Sequence, residues 1–374
     1  MFREALLATG REAHDETTHL LMSLATRAKA RIFSGAWKLG VLDAIQQSSW
    51  RRDRLLILCY HGISLLDEHE WGGLYVSPSH FESRLRLLES LGVRTAPLGQ
   101  ALTELAEGRL SEPTVALTFD DGTADFALRA APLLIKYHVP ATVYLTTFYS
   151  QRQLPVFDPW AAYLLWKGAG HGADLGPLGL VTALPAARDV VARAKLHDRL
   201  RATCAELGFT AADKDTVLRV LSASLGISYD EYCARRFMHI MNTEELRGLP
   251  GNLVDVQLHT HRHRSPVDRT EFHDEIDLNQ RGIAEATGDI SLRRHFCYPS
   301  GVYSKALREN VASYDLSSAT TCDPGLATRS SDSLLLPRFV DTMSVSDATF
   351  AAWVSGGAAL LPRRRSLFTV SDAP

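Results

Sequence analysis

An α/β fold built on parallel strands is predicted for this chain, and three observations predict it. The runs Leu55–Tyr60, Thr114–Phe119 and Ala141–Thr146 are short and almost wholly apolar, the pattern of strands buried on both faces. Segments of helical periodicity separate them, so residues 55–147 read strand, helix, strand, helix, strand. That order calls for helical crossovers between parallel strands, in a barrel or an open doubly wound sheet. Finally, polar residues follow the strand ends: His61, Asp120 and Asp121, His259, and the turn after Tyr298. In parallel α/β architectures that edge is where active sites assemble.

Residues 1 to about 50 are rich in Ala, Leu and Arg, have no proline, and predict an N-terminal helical extension over 1–52. Ser79 with Glu82 reads as a capping box for a helix carrying Phe81, Leu85, Leu88 and Leu91, stopped by Gly92. A helix over 124–137 ends ahead of Pro140. From about 150 to 242 the alternation breaks: 188–207, 211–225 and 229–241 read as helices, a helical insertion between two strands. Asn242 with Glu245 caps a further helix, Val254–Leu258 is a strand ending at His259, and 269–287 is a helix. Strands over 294–298, 316–321 and 334–337, with a helix over 305–313, complete a main domain of 53–345; a C-terminal helix and tail occupy 346–374.

Composition narrows the function classes. The chain has 374 residues, 45% hydrophobic and 22% charged, ordinary globular usage that excludes a disordered chain. A net charge of −3 provides no broad positive field for nucleic acid. Five cysteines, scattered and never spaced as CxxC, predict reduced and mostly buried thiols rather than a disulfide scaffold or thiolate zinc cluster. No secretory signal or membrane-spanning run is evident, so a cytoplasmic location is expected. The stretch from Arg27 to Ile45 mixes basic and apolar residues as surface-lying amphipathic helices do. Packing on the following domain is the favoured reading, with peripheral membrane contact as the other.

The strand-end residues suggest metal-assisted hydrolysis. Asp120 and Asp121 end an apolar strand and point to opposite faces unless the chain turns, which Gly122 permits. One carboxylate can then hold a cation while the other stays free as a base. His259 and His263 share one face of a helical turn or converge in a loop, with His261 directed elsewhere. Two imidazoles plus Asp121 form a three-ligand set with open positions, the catalytic pattern for zinc, although other divalent ions fit the same donors. Asp120 would accept the water proton, and a separate donor must protonate the leaving group.

These residues resemble the polysaccharide deacetylases, carbohydrate esterases with the nodulation-protein homology domain. Thr118-Phe119-Asp120-Asp121-Gly122 matches their first motif and His259-Thr260-His261-Arg262-His263 the second; Phe296-Cys297-Tyr298-Pro299-Ser300-Gly301 matches the third in part. The resemblance implies a distorted (β/α) barrel of about seven strands and removal of an N-acetyl group from an N-acetylhexosamine. It implies Asp120 as base, Asp121, His259 and His263 as metal ligands, and the Ser300 backbone N–H as oxyanion donor. Two departures stand out. The third-motif arginine is Cys297 here, and Arg338 is the candidate to supply its charge from another strand end. The family's last motif, a strand ending in a general-acid histidine, has no counterpart near the C-terminus. His61, ending the first strand, takes that role if the motif order is permuted. An O-acetyl esterase, a non-sugar amide deacylase and an inactive carbohydrate-binding module are the alternatives.

Overall fold

The computed structural model describes residues 28–175, 180–183 and 189–361. Its frame is a curved parallel sheet of seven strands. They are β1 (Leu55–Tyr60), β2 (Thr114–Phe119), β3 (Ala141–Leu145), β4 (Val254–Leu258), β5 (His295–Cys297), β6 (Ser318–Thr320) and β7 (Phe339–Val340). In space they run β6-β5-β4-β3-β2-β1-β7, and a two-residue strand, Arg94–Thr95, pairs alongside β2. A bridge from Thr320 to Leu336, just ahead of β7, joins the two ends of the sheet and curls it into the distorted barrel that was expected. β1 lies between β2 and β7, in register Leu58 with Phe339 and Cys59 with Val340, so the first and last strands are neighbours.

Strand periodicity sorts the core into two layers. Leu56, Leu58, Val115, Leu117, Val143 and Leu258 face the surrounding helices and form the larger cluster. Residues of the opposite parity, Leu55, Ile57, Ala116, Tyr144 and Cys297, face inward and meet Leu98, Ala101 and Leu105 of helix α1 (Leu98–Glu107). Inward positions near the carboxyl ends of β1 and β2 are polar, Cys59, Thr118 and Asp120, where the apolar filling gives way to the site.

The structure moves several expected boundaries. The helix over 78–90 is capped by Ser77, whose side chain accepts from the His80 N–H, with Pro78 in the first turn. Ser79 is therefore inside the helix, and Glu82 accepts from Lys136 and Tyr137 instead of capping. The expected strand over 334–337 is replaced by the single bridge at Leu336, with β7 following Arg338. Between β3 and β4 the insertion is largely helical: α2 (Phe157–Lys167), α3 (Val190–Glu206), α4 (Ala211–Ser224) and the short helix Tyr229–Ala234. It also contains an antiparallel hairpin, Gly172–Leu175 with Leu180–Ala183, that the sequence did not suggest. The insertion has its own core, in which Trp160 is buried and stacked on Tyr229; it is a packing residue.

The N-terminal extension is helical over 28–38, 41–46 and 49–52, and its Phe33 and Leu42 are buried in the barrel's main cluster. Buried Arg51 ties it down, donating to Val354 O at 2.7 Å and Thr114 O at 3.2 Å. Ile32 and Leu39 stay exposed. Residues 1–27 and the Arg363–Arg365 tail lie outside the described residues, within which no helix is long and apolar enough to cross a membrane.

Asp341, following β7, is buried and accepts from Arg84 Nε at 2.9 Å and Tyr60 Oη at 3.1 Å. Asp341→Ala removes one of two carboxylates on buried Arg84, which keeps Asp347, and leaves the buried Tyr60 hydroxyl without its acceptor; it is expected to lower the unfolding free energy by about 2 kcal/mol, read by urea denaturation.

Candidate active site

Alternation along β2 directs Asp120 into the barrel mouth. The chain then turns: Asp121 adopts φ 69° and Gly122 φ 75°. A Cβ on Gly122 would stand 2.4 Å from Leu145 Cδ1, so glycine is required where this turn packs on the end of β3. The turn brings Asp121 over the strand ends, where its carbonyl accepts from the Thr146 N–H at 3.1 Å. Adjacent aspartates thus serve two different environments.

Asp120 is buried against Arg338. Arg338 Nη1 donates to Oδ1 at 2.6 Å and Nη2 to Oδ2 at 2.7 Å, a bidentate pair. Burial alone would raise the Asp120 pKa, but the Arg338 guanidinium holds it far below the usual carboxylate range. Arg338 is fully buried, its Nε donating to Thr321 O at 2.8 Å and its Nη1 to Thr118 Oγ1 at 3.0 Å. Cys297, at the place of the motif arginine, is small enough to leave room for it; its sulfur lies 3.0 Å from Arg338 Nη2. His61 Nε2 is 3.7 Å from Asp120 Oδ2.

Asp121 faces two imidazoles. Its Oδ1 lies 3.3 Å from His259 Nε2 and 3.2 Å from His263 Nε2. The two histidines converge in a loop after β4, not along a helix, and Thr260 and His263 adopt φ of 63° and 54° to achieve this. His259 is buried, and its Nδ1 donates to the Cys297 carbonyl at 2.8 Å, which orients Nε2 toward Asp121. His261 turns away and bonds Thr147 Oγ1 at 2.9 Å. Burial pushes its pKa down to about 4.

The donor atoms of Asp121, His259 and His263 lie within 4.8 Å of one another, and this set fits a divalent cation. Burial works against charge on both Asp121 and His259. The imidazoles nevertheless hold the Asp121 carboxyl well below its ordinary pKa, while Cys297 and Asp121 push His259 well above its own. A cation would take the position of the proton these groups share. Two other groupings, Asp120 with His259 and Cys297, and Asp120 with Cys59 and Cys322, are also this compact. Both require Asp120, whose two oxygens are already engaged by a cationic guanidinium, and they are poor cation sites for that reason.

The cluster opens into a cavity of about 840 Å³ bordered by His61, Asp121, His263 and Ser300. Trp71, Tyr75, Phe148 and Tyr149 supply aromatic walls, and Phe157, Arg201 and Lys214 come from the insertion. Ser300, at φ 56°, sits in the tight turn after β5 and borders this cavity.

Supporting residues outside the motifs were missed by sequence reasoning. On helix α5 (Arg269–Thr287), buried Glu275 accepts from the Arg262 N–H at 2.8 Å and from Arg264 Nε at 2.9 Å, shaping the histidine loop. One turn on, buried Asn279 accepts from the His259 N–H at 3.0 Å and donates to Leu145 O at 2.9 Å, tying the ends of β3 and β4. Their signal was polar residues on the apolar stripe of Phe272, Ile276 and Ile283. His239 is buried, and its pKa is pushed down to about 4 by burial.

Comparison with known proteins agrees with the motifs. Residues 107–175 match the family model for polysaccharide deacetylase. Over that stretch this chain is similar to the polysaccharide deacetylases. A Bacillus subtilis (strain 168) protein named "Putative polysaccharide deacetylase YxkH" is 34% identical over 93 residues, 25% of this chain and 32% of that relative's length. The chain thus matches about a third of that relative. Among solved structures, a de-N-acetylase from Aggregatibacter actinomycetemcomitans aligns with 80% of this chain and 99% of its own, with a TM-score of 0.50 and 13% identity. Streptococcus pyogenes deacetylase PplD, in complex with acetate, aligns with 80% of this chain and 98% of its own at TM-score 0.49 and 17% identity. At 13% identity the likeness to the de-N-acetylase is one of fold.

Asp125 links the first strand end to this turn, its Oδ1 accepting from the Ile63 N–H at 2.9 Å. Burial pushes its pKa up to about 7. The native state therefore holds a proton that the unfolded chain releases near pH ~4, and stability falls as pH rises from there through about 7. Asp125→Asn keeps an acceptor for Ile63 without the charge. Its gain in unfolding free energy over wild type is expected to be larger near pH ~8 than near pH ~5, by about 2–3 kcal/mol, read by denaturation at both.

Proposed function

We propose that this chain is a divalent-metal-dependent hydrolase that removes the N-acetyl group from an N-acetylhexosamine-containing glycan or glycoconjugate. The observation that carries the reading is the convergence, at one cavity, of Asp121, His259 and His263 with the arginine-held Asp120 and His61. The chemistry of that donor set favours zinc. Aromatic rings on the cavity wall suit the apolar faces of sugar rings.

Held by Asp121, His259 and His263, the cation supplies a Lewis acid that acidifies water and polarises the acetamide carbonyl. Asp120 accepts the proton of the attacking water. Arg338 keeps this carboxylate ionised and fixes its orientation, so no reorganisation is needed as the proton arrives. The Ser300 backbone N–H donates to the oxygen on which negative charge develops. His61, near Asp120 at the cavity edge, gives its proton to the departing amine. The β1–β7 pairing supports this role, since it lets a histidine from the first strand serve where the family uses the last. The reading extends to a cytoplasmic enzyme acting on nucleotide-, lipid- or small-molecule-linked sugars. Ile32 and Leu39, left outward by the N-terminal helices, are the face it would lay on a membrane.

Elemental mass spectrometry is expected to find about one zinc or other divalent ion per chain, lost in His263→Ala because one of three protein donors is removed. No metal in the wild type after reconstitution with zinc would overturn the metal assignment. Asp120→Asn is expected to retain the metal and to lower turnover by roughly 10²–10⁴-fold. Acetate and free amine are to be assayed together on N-acetylglucosamine oligomers. Wild-type turnover in this variant would remove Asp120 as the base, and acetate without new amine would reassign the bond to an ester.

A further inference from the structure

Three free cysteines surround the Asp120–Arg338 pair, and the deacetylation chemistry uses none of their sulfurs. Cys59, the inward residue near the end of β1, has its sulfur 3.6 Å from Asp120 Oδ2. Cys322, two residues beyond β6, has its sulfur 3.6 Å from Arg338 Nη2. These two sulfurs lie within 4.8 Å of each other although their residues are 263 positions apart along the chain. Cys297 is the third, fully buried between Arg338 and Asp120.

The pair is chemically unequal. Cys322 is partly exposed, whereas Cys59 is completely buried. Contact with Cys59, aided by the Arg338 guanidinium, lowers the Cys322 thiol to about 6 against the effect of burial. Burial pushes the Cys59 thiol up instead. One partner is therefore a reachable thiolate, the attacking sulfur in oxidant chemistry, and the other is a sheltered thiol able to resolve it. The neighbourhood is also coupled to the site. A Cβ on Gly301 would stand 2.9 Å from Cys322 Cβ, so the turn holding Ser300 packs directly on this cysteine.

We propose that Cys322 and Cys59 form a reversible disulfide on exposure to a hydroperoxide, making the base-holding side of the site a redox-modification site. The Cys322 thiolate attacks one peroxide oxygen, the O–O bond breaks, and hydroxide leaves with a sulfenic acid on Cys322. The Cys59 sulfur then attacks the Cys322 sulfur; the S–O bond breaks and its oxygen leaves as water with the Cys59 proton, while the proton released when Cys322 ionised neutralises the earlier hydroxide. Two thiols are oxidised by two electrons, and one hydrogen peroxide is reduced to two waters. The sulfurs must close to about 2 Å, which takes rotation of both side chains. The bond draws the Cys59 sulfur from Asp120 and fixes Cys322 beneath the Ser300 turn, so turnover falls while the disulfide lasts.

The test treats the full, reduced chain with equimolar hydrogen peroxide, then applies intact-mass measurement and non-reducing peptide mapping. The expected result is loss of two hydrogen masses, a linked Cys59–Cys322 peptide pair, and recovery of both thiols with dithiothreitol. Cys322→Ser and Cys59→Ser should each abolish the link, and Cys233→Ser, in the insertion, should keep it. Mass gain by whole oxygens without a link, or a link that omits either cysteine, overturns the proposal. Mapping of the wild type decides the matter even where a variant fails to fold. The readout is a covalent bond and needs no substrate, so its outcome is independent of whether the deacetylase reading holds.

Discussion

The bidentate pair between Arg338 and Asp120 is the constraint on which the rest of the site depends. A carboxylate at the mouth of a barrel, cut off from water, would take up a proton unless a cation were fixed against it. Arg338 meets that requirement from just ahead of the strand that neighbours β1, and its remaining donors reach Thr118 on β2 and the Thr321 carbonyl beyond β6. One side chain therefore ties together segments that are far apart in sequence and lie around the barrel mouth. Buried pairs of this kind are weak evidence for net stability, but removing one partner leaves the other charge stranded. Geometry at the site and closure of the barrel are for this reason one problem, solved by one residue.

A second layer of polar residues carries the histidine loop. Neither Thr260 nor His263 has a backbone conformation that an L-residue adopts readily. That geometry persists because Glu275 and Asn279, on the buried face of α5, engage the loop's N–H groups and the end of β3. The orientation of His259 has a separate origin, the Cys297 carbonyl at the end of β5. The two imidazoles are thus held from different elements, and Asp121 meets them only because Gly122 lets the chain fold back against Leu145.

The insertion between β3 and β4 has its own core yet forms one wall of the cavity, through Phe157, Arg201 and Lys214. The barrel contributes His61, Asp121 and His263 to the cavity and the insertion shapes the space in front of them. Variation in the insertion can consequently alter the cavity while leaving the strand-end residues unchanged.

Much of this was legible in the chain itself. The apolar runs at 55–60 and 114–119, the capping box at Asn242 and the helix over 269–287 recur in the structure with the same boundaries, because burial on both faces and a satisfied helix start are local properties. Asp120, Asp121, His259 and His263 stood out because their spacing and strand-end position are local as well. Other features depend on distant partners. The short hairpin in the insertion, the displacement of β7 past Arg338, and the roles of Glu275 and Asn279 follow from packing between elements, and no neighbouring residue announces them. Sequence by itself determined most of the strand segments and which polar residues stand at their ends. Only the tertiary structure decided that Arg338 reaches Asp120, that Cys59 lies beside Cys322, and that the His61 strand end adjoins the last strand, because barrel closure brings together residues whose separation along the chain carries no information about their contact.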